Sequence, residues 1–250
     1  MVSKLHLLIQ NFLKHYHFRL TVFRANPKIL GGGAENEGNP YDANGYYHNL
    51  NLDYIFANIG TDSSNLNIYN KSIAYLTSEF GSSVSGSVSS AMPSNSSLVT
   101  GVFGFVDDLS ISAYQTGIGG LPVRTVVKNV LFDLLVILTD TSKAYAGDFS
   151  DLKSEIISWE NGLSISLTNS EKQSLLRAGA VARYSLLYWS YYDKTLWGFL
   201  RWLGWGLVAA ADAIGFGVGS SACGPYCGIA LGGGASFLGF KIFKARGWEP

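Results

Sequence analysis

Over most of this chain hydrophobic positions recur at helical spacing. From Tyr41 to Ile59 the residues Tyr41, Gly45, His48, Leu52, Ile55 and Ile59 share a stripe, with Asn39 placed to cap the helix and Pro40 as its first residue. Leu66 to Phe80 predicts a second helix. VVKNVLFDLLVILTD (126–140) holds only Lys128 and Asp133 before Asp140. It falls short of the ~20 residues of a bilayer span and predicts a buried core helix, its Val and Ile leaving a strand open. Another helix opens near Asp148 or Ser150, runs through Leu152, Ile156, Ile157 and Trp159 and stops at Asn161-Gly162, which makes Asp148 and Asp151 first-turn acids. Residues 167–194 start with Thr168 and Glu171 at capping-box spacing, and Leu175, Ala178, Ala182, Ser185 and Trp189 line one face. Near the start, Leu5, Leu8, Ile9, Phe12, Leu13 and Tyr16 form an amphipathic stripe that docks on its own domain or lies at an interface.

Two stretches break this pattern. GSSVSGSVSSAMPSNSSLVTG (81–101) is Ser/Gly-rich and uncharged, and reads as a flexible loop. Trp202 to Phe240 contains eleven glycines and one charge, Asp212. Each glycine in a solvent-facing helix costs about 1 kcal/mol relative to alanine, so close backbone packing has to compensate. Ala211, Gly215, Gly219 and Cys223 recur every four residues, as do Gly224, Gly228, Gly232 and Ser236. Two such small-residue rows around a Gly224-Pro225 turn predict a glycine-zipper hairpin of roughly 202–220 and 226–243. Gly215, Gly219, Gly224, Gly228 and Gly232 are its expected packing positions. Crossing a bilayer is marginal for these thirty-nine residues. Arg201 on one flank and Lys241, Lys244 and Arg246 on the other would lie at one end, with Trp197, Trp202, Trp205 and Trp248 as aromatic anchors. Asp212 in lipid costs about 3 kcal/mol unless it faces the partner helix or water, so it is a buried polar contact or a pore-lining group. Cys223 and Cys227 flank the turn either as a disulfide or as two small buried thiols.

Charge narrows the function classes. Lys and Arg number 18, Asp and Glu 18, and charged residues make up 14% of the 250, with no basic block. That argues against nucleic acid as a partner and points to lipid or a large apolar interior. His6, His15 and His17 lack accompanying ligands at metal-site spacing, so no metal and no cofactor are expected. No catalytic motif is readable. His48 sits in an apolar stripe and reads as a core histidine, and Asp107 and Asp108 read as first-turn acids; an enzyme is not expected. Polar and charged residues interrupt 1–23, so no signal-peptide pattern is readable there.

NPYDANGYYHNLNLDYI (39–55) and EKQSLLRAGAVARYSLLYW (171–189) resemble a motif pair found in a group of often exported proteins of Bacteroidota. The matching positions are Asn39 to Asp42, Gly45, His48, Asn49 and Leu52 to Tyr54, then Val181 to Ser185, Tyr188 and Trp189. Many members of that group end in a Gly/Ala-rich tail similar to those of class II bacteriocins. The resemblance implies export or membrane association and carries over no reaction and no catalytic residue. Members usually open with a signal or lipoprotein leader, and residues 1–23 depart from that pattern.

Together these features predict a mainly α-helical bundle with a Gly-rich hydrophobic C-terminal helical hairpin. The expected divisions are an amphipathic helix and linker (1–38), a helical bundle (39–200) and the hairpin (201–250). Two functional readings follow. In one, the hairpin inserts into a lipid membrane in the manner of a pore-forming bacteriocin, with self-association open. In the other, the chain is a soluble bundle with a structural or protein-interaction role and the hairpin is its buried core.

Overall fold

A computed structural model describes residues 33–140, 142, 149–163, 166–192 and 199–246, without the side chains of 191, 192 and 199–202. The amphipathic stripe at the start, His6, His15, His17, Asp148, Trp197 and Trp248, and the side chains of Arg201 and Trp202, lie outside these.

Ten helices and no strand occur among the described residues: α1 Ala43–Asn58, α2 Asn65–Phe80, α3 Ser82–Ala91, α4 Ser97–Val106, α5 Ile111–Gly120, α6 Thr125–Leu138, α7 Phe149–Asn161, α8 Asn169–Tyr192, α9 Phe199–Cys223 and α10 Pro225–Ala245. The protein is therefore mainly α, and the stretch 126–140 forms a helix, with its strand alternative discarded. Apolar spacing starts each element and local chemistry stops it. Ser64, Ser96 and Ser110 each cap a following helix through their hydroxyl groups. At the start of α8 the backbone N–H of Thr168 donates to Glu171 Oε2 at 2.8 Å and Thr168 Oγ1 accepts from Glu171 N at 3.3 Å, the expected reciprocal cap.

Two boundaries differ from expectation. α1 begins at Ala43 with Asp42 as N-cap, because Asn39 spends its side chain elsewhere, accepting from Tyr41 N and donating to Glu160. The Ser/Gly stretch 81–101 is not a loop. It forms α3 and the start of α4, which bury Val88, Val99, Val102 and Phe103 against the core. Packing of one apolar side per turn outweighs the low helix propensity of Ser and Gly.

α9 and α10 form a tightly packed antiparallel pair at the centre. α8 and α6 pack along α9, α1, α2, α3 and α4 along α10, and α7 backs α8. The two motifs at 39–55 and 171–189 interlock on this sheath. Arg183, fully buried on α8, donates through Nη2 to Asp42 Oδ1 at 2.7 Å and to Glu160 Oε1 at 3.0 Å, and through Nη1 to the Ala34 carbonyl. Asn36 and Asn39 donate to the two oxygens of Glu160, and Tyr184 Oη donates to Asp42 Oδ2. Asn49 Nδ2 donates to the Tyr184 carbonyl and Tyr188 Oη to Asp53. Gly45 lets α1 approach α8 here, since a Cβ at that position would fall 2.4 Å from the Tyr184 ring.

Removing one partner of a buried, fully bonded ion cluster strands the others. Arg183→Leu is expected to lower stability by about 3–5 kcal/mol in urea unfolding, and Arg183→Leu with Glu160→Leu by less than the single change. A double-variant loss equal to the sum of the two single losses would show that the cluster is not coupled.

Candidate functional site: the central hairpin and its polar layer

The hairpin is built on absent side chains. A Cβ at Gly219 would lie 2.6 Å from the Cys227 carbonyl oxygen, and one at Gly215 3.2 Å from the Leu231 carbonyl oxygen and 3.3 Å from the Cα of Gly232. The predicted rows on α9 and α10 thus face each other at backbone distance. Gly228 and Gly232 make room for Phe216, at 2.8 and 3.1 Å from their missing Cβ atoms. Gly224, expected both at the turn and in the packing row, serves the turn alone. It has φ +92° with nothing near its Cβ position, and supplies the turn that Pro225 follows at the first position of α10. Cys223 and Cys227 are joined by a disulfide across that turn.

The sheath approaches through glycine as well. Gly217 meets Ala178 of α8, Gly233 meets Asn51 of α1, and Gly234 meets Phe103 of α4. Trp205 is not a free-standing anchor. It lies in an aromatic stack with Trp189 at 4.9 Å and Phe243 at 4.2 Å.

Two 21-residue stretches, Leu203–Cys223 and Pro225–Ala245, are long and apolar enough to cross a bilayer. At 1.5 Å per residue each reaches about 30 Å, so the hairpin is longer than its expected limits and its length is not marginal. Its ends differ in chemistry. Ser221, Ala222 and Tyr226 at the turn are exposed and uncharged, whereas Lys241 and Arg246 are exposed at the far end of α10, with half-buried Lys244 between them.

Asp212 lies midway along α9 and is fully buried. Ser185 donates to its Oδ2, and Trp189 Nε1 lies 3.5 Å from the same oxygen. Ser236 of α10 adjoins the carboxyl, while its Oγ and Asp212 Oδ1 make no full hydrogen bond. One turn away on α10, a Cβ at Gly232 would press on both the Asp212 carbonyl oxygen and the His48 ring, at 3.1 and 3.2 Å. His48 is fully buried, so it is not presented to a substrate. Because the Asn49 amide donates to Tyr184, its Oδ1 faces the ring, and His48 Nδ1–H donates to it at 3.1 Å. His48 Nε2 is left without a partner. Asn51 Nδ2 completes the layer by donating to the Ile229 carbonyl at 2.8 Å. A polar layer therefore crosses the middle of α1, α8, α9 and α10.

Both limbs of the hairpin are mostly enclosed by the surrounding helices. Burial pushes the Asp212 carboxyl up to about 7, partly opposed by hydrogen bonding from Ser185, Ser236 and Trp189. Burial pushes the His48 imidazole down to about 4, partly opposed by Asn49 and the Gly232 backbone. At neutral pH and slightly below, the layer thus holds an uncharged imidazole and a carboxyl near its midpoint.

Asp107 and Asp108 are not first-turn acids. Asp107 follows the last residue of α4, and Asp108 pairs with Arg246 at 2.8 Å. Among the described residues no group of three metal-ligating side chains converges. No protein-family model, curated protein or solved structure matches this chain.

Reasoning from spacing located Asp212 and both glycine rows. It missed Arg183, Glu160 and Asp42 as a cluster, and Ser185 and Ser236 as neighbours of Asp212. The stripe through Ala178, Ala182, Ser185 and Trp189 was the available signal, a polar hydroxyl on a face otherwise built for burial.

Glycine substitutions separate close approach from open positions. Gly219→Ala is expected to cost about 1–3 kcal/mol in urea unfolding, since the clash is with backbone. Gly104→Ala, in open space on α4, should gain about 0.5–1 kcal/mol. Equal effects would mean the hairpin is not tightly packed.

The two titrating groups act in opposite directions. Asp212, raised from 3.8, removes stability as pH rises through about 7, whereas His48, lowered from 6.5, removes it as pH falls through about 4. Asp212 contributes about 4 kcal/mol and His48 about 3 kcal/mol over their full windows, and the two nearly cancel, at about 3 kcal/mol each, between about pH 4 and 6.5. Relative to the intact chain, Asp212→Asn should lose stability by about that amount as pH falls from 6.5 to 4, and His48→Gln as pH rises from 4 to 7. Parallel unfolding profiles for all three proteins would remove both groups from this balance.

Proposed function

We propose that this protein stores a membrane-inserting hairpin inside a closed helical bundle and releases it at a lipid membrane, in the manner of pore-forming bacteriocins. The observation that carries this reading is the polarity of the hairpin. Its turn is exposed and uncharged, and its exposed cations lie at the opposite end, so the turn can enter lipid first while the charged base stays in water. Two limbs of crossing length and a self-contained glycine-to-backbone interface support it, because the pair can move as one body.

The disulfide at the turn fits an oxidising compartment, and with it export or membrane association, as does the resemblance to often exported Bacteroidota proteins. The role is non-enzymatic in this reading. Self-association in the membrane would follow from the small-residue faces of the hairpin once the sheath has left them. The contrasting reading, a soluble bundle whose hairpin is only core, has the burial of both limbs in its favour.

Dye release from lipid vesicles separates the two when a charge is placed at the exposed turn. Ala222→Lys should leave urea stability within about 0.5 kcal/mol of the intact chain, because the position faces water. Carrying that charge across lipid costs about 3 kcal/mol, so release by the intact chain should fall tenfold or more in the variant. No release by the intact chain, or equal release by both proteins, would assign the hairpin to the core alone.

A further inference from the structure

Helices α2 to α4 arch over one side of α10. Phe103 and Ile68 close on Gly234, and Val106 lies against Gly239. The arch leaves α1 at Gly60, φ +64°, and bends between α2 and α3 at Gly81, φ +89°, two left-handed positions with open space around the missing Cβ. Between Glu79 and Asp107 it carries no charged residue.

Both ends of this arch are tied to the base of the hairpin. Ahead of α2, Lys241 Nζ donates to the Ser63 carbonyl at 3.1 Å. After α4, Arg246 Nη2 donates to Asp108 Oδ1 at 2.8 Å and Nη1 to the Leu109 carbonyl at 3.1 Å. Lys241 also stands within Coulombic reach of Asp62 and Asp107. The signs are segregated: at this clasp the acids belong to the arch and the cations to the hairpin. The Arg246–Asp108 pair is open to solvent, with 36% and 62% of the side chains exposed.

We infer that α2–α4 is a releasable strap over the hairpin, held by an electrostatic clasp of Asp62, Asp107 and Asp108 on Lys241 and Arg246, and opened when anionic lipid headgroups take those cations. The lipid half of this inference rests on the proposed function; the clasp half does not. A phosphodiester oxygen can accept from Arg246 Nη2 in place of Asp108 Oδ1. An exposed pair is weak, which suits a contact that must exchange partners. Once its ends are free, the strap swings on Gly60 and Gly81, and its uncharged α3–α4 meets the lipid surface without a buried charge to solvate.

A charge swap followed by hydrogen exchange of the α3–α4 amides tests both halves. At low salt, Asp108→Arg and Arg246→Asp should each speed exchange there about fivefold, and the double swap should restore it to within about twofold of the intact chain. High salt should speed exchange in the intact chain and erase the differences. Single reversals that exchange like the intact chain, or a swap that restores nothing, would overturn the clasp even if dye release showed insertion. With the intact protein, phosphatidylglycerol vesicles should speed α3–α4 exchange and phosphatidylcholine vesicles should not. A swap-dependent clasp indifferent to both vesicles would overturn lipid as its opener. If dye release is absent as well, the proposed function falls with it.

Discussion

The architecture depends on how closely α9 and α10 approach. With glycine at 215, 219, 228 and 232, atoms of one limb lie where a Cβ of the other would stand, so the pair packs backbone to backbone. Glycine is a poor residue for a water-facing helix, and this arrangement tolerates it because neither limb faces water over most of its length. An apolar, glycine-rich pair of this kind has to be enclosed. α1, α8, α6 and the α2–α4 strap provide that enclosure, approaching through further gaps at Gly217, Gly233 and Gly234. Close approach also brings the Asp212 carbonyl, Gly232 and His48 together in one layer.

What could be read from the chain depended on whether a feature is local. Helices with one apolar face, such as α2, α6, α7 and α8, were visible as periodicity, and the capping pair Thr168 and Glu171 is a three-residue signal that formed as expected. The hairpin was legible because its small residues recur every four positions. α3 was hidden for the opposite reason. Its composition favours a loop, and the buried sides of Ser85 and Val88 that hold it as a helix exist only once α2 lies beside it. Gly224 was read as both turn and packing position, because it falls at a four-residue interval and also precedes Pro225.

The polar clusters were the least legible part. Glu160, near the end of an amphipathic helix, has the pattern of a solvent-facing acid, yet Arg183, Asn36 and Asn39 surround it. Arg183 lies within a run of small and apolar residues, which signals burial but not the partner that makes burial tolerable. The stretches 39–55 and 171–189 meet at this cluster. Asp42 and Asn49 from the first stretch and Arg183 and Tyr184 from the second bond to one another, so the two stretches constrain each other through contact.

The contacts that hold the hairpin in place also bear on whether it can leave. Its internal interface, glycine against backbone with the disulfide at the turn, is made within the hairpin, so under the proposed release it would leave as one unit. Its outer face is mainly apolar, and exchanging Phe237 or Phe240 from a protein interior to lipid tails changes their surroundings little. Among the described residues its polar ties to the sheath include Asn51 on the Ile229 carbonyl, Ser185 and Trp189 on Asp212, Arg177 on Ser220, and the cations at the base, beside aromatic stacks such as Trp205 on Trp189. The Ile229 carbonyl keeps a partner within α10 itself, while Asp212 loses its donors on departure. Asp212 is therefore the point at which the protein interior and lipid place the same demand, since both favour the neutral carboxyl over the charged one. A group that burial has already brought near its midpoint at neutral pH can be carried into lipid with little further protonation cost. Under the proposed release, the polar layer of the bundle would thus add little resistance.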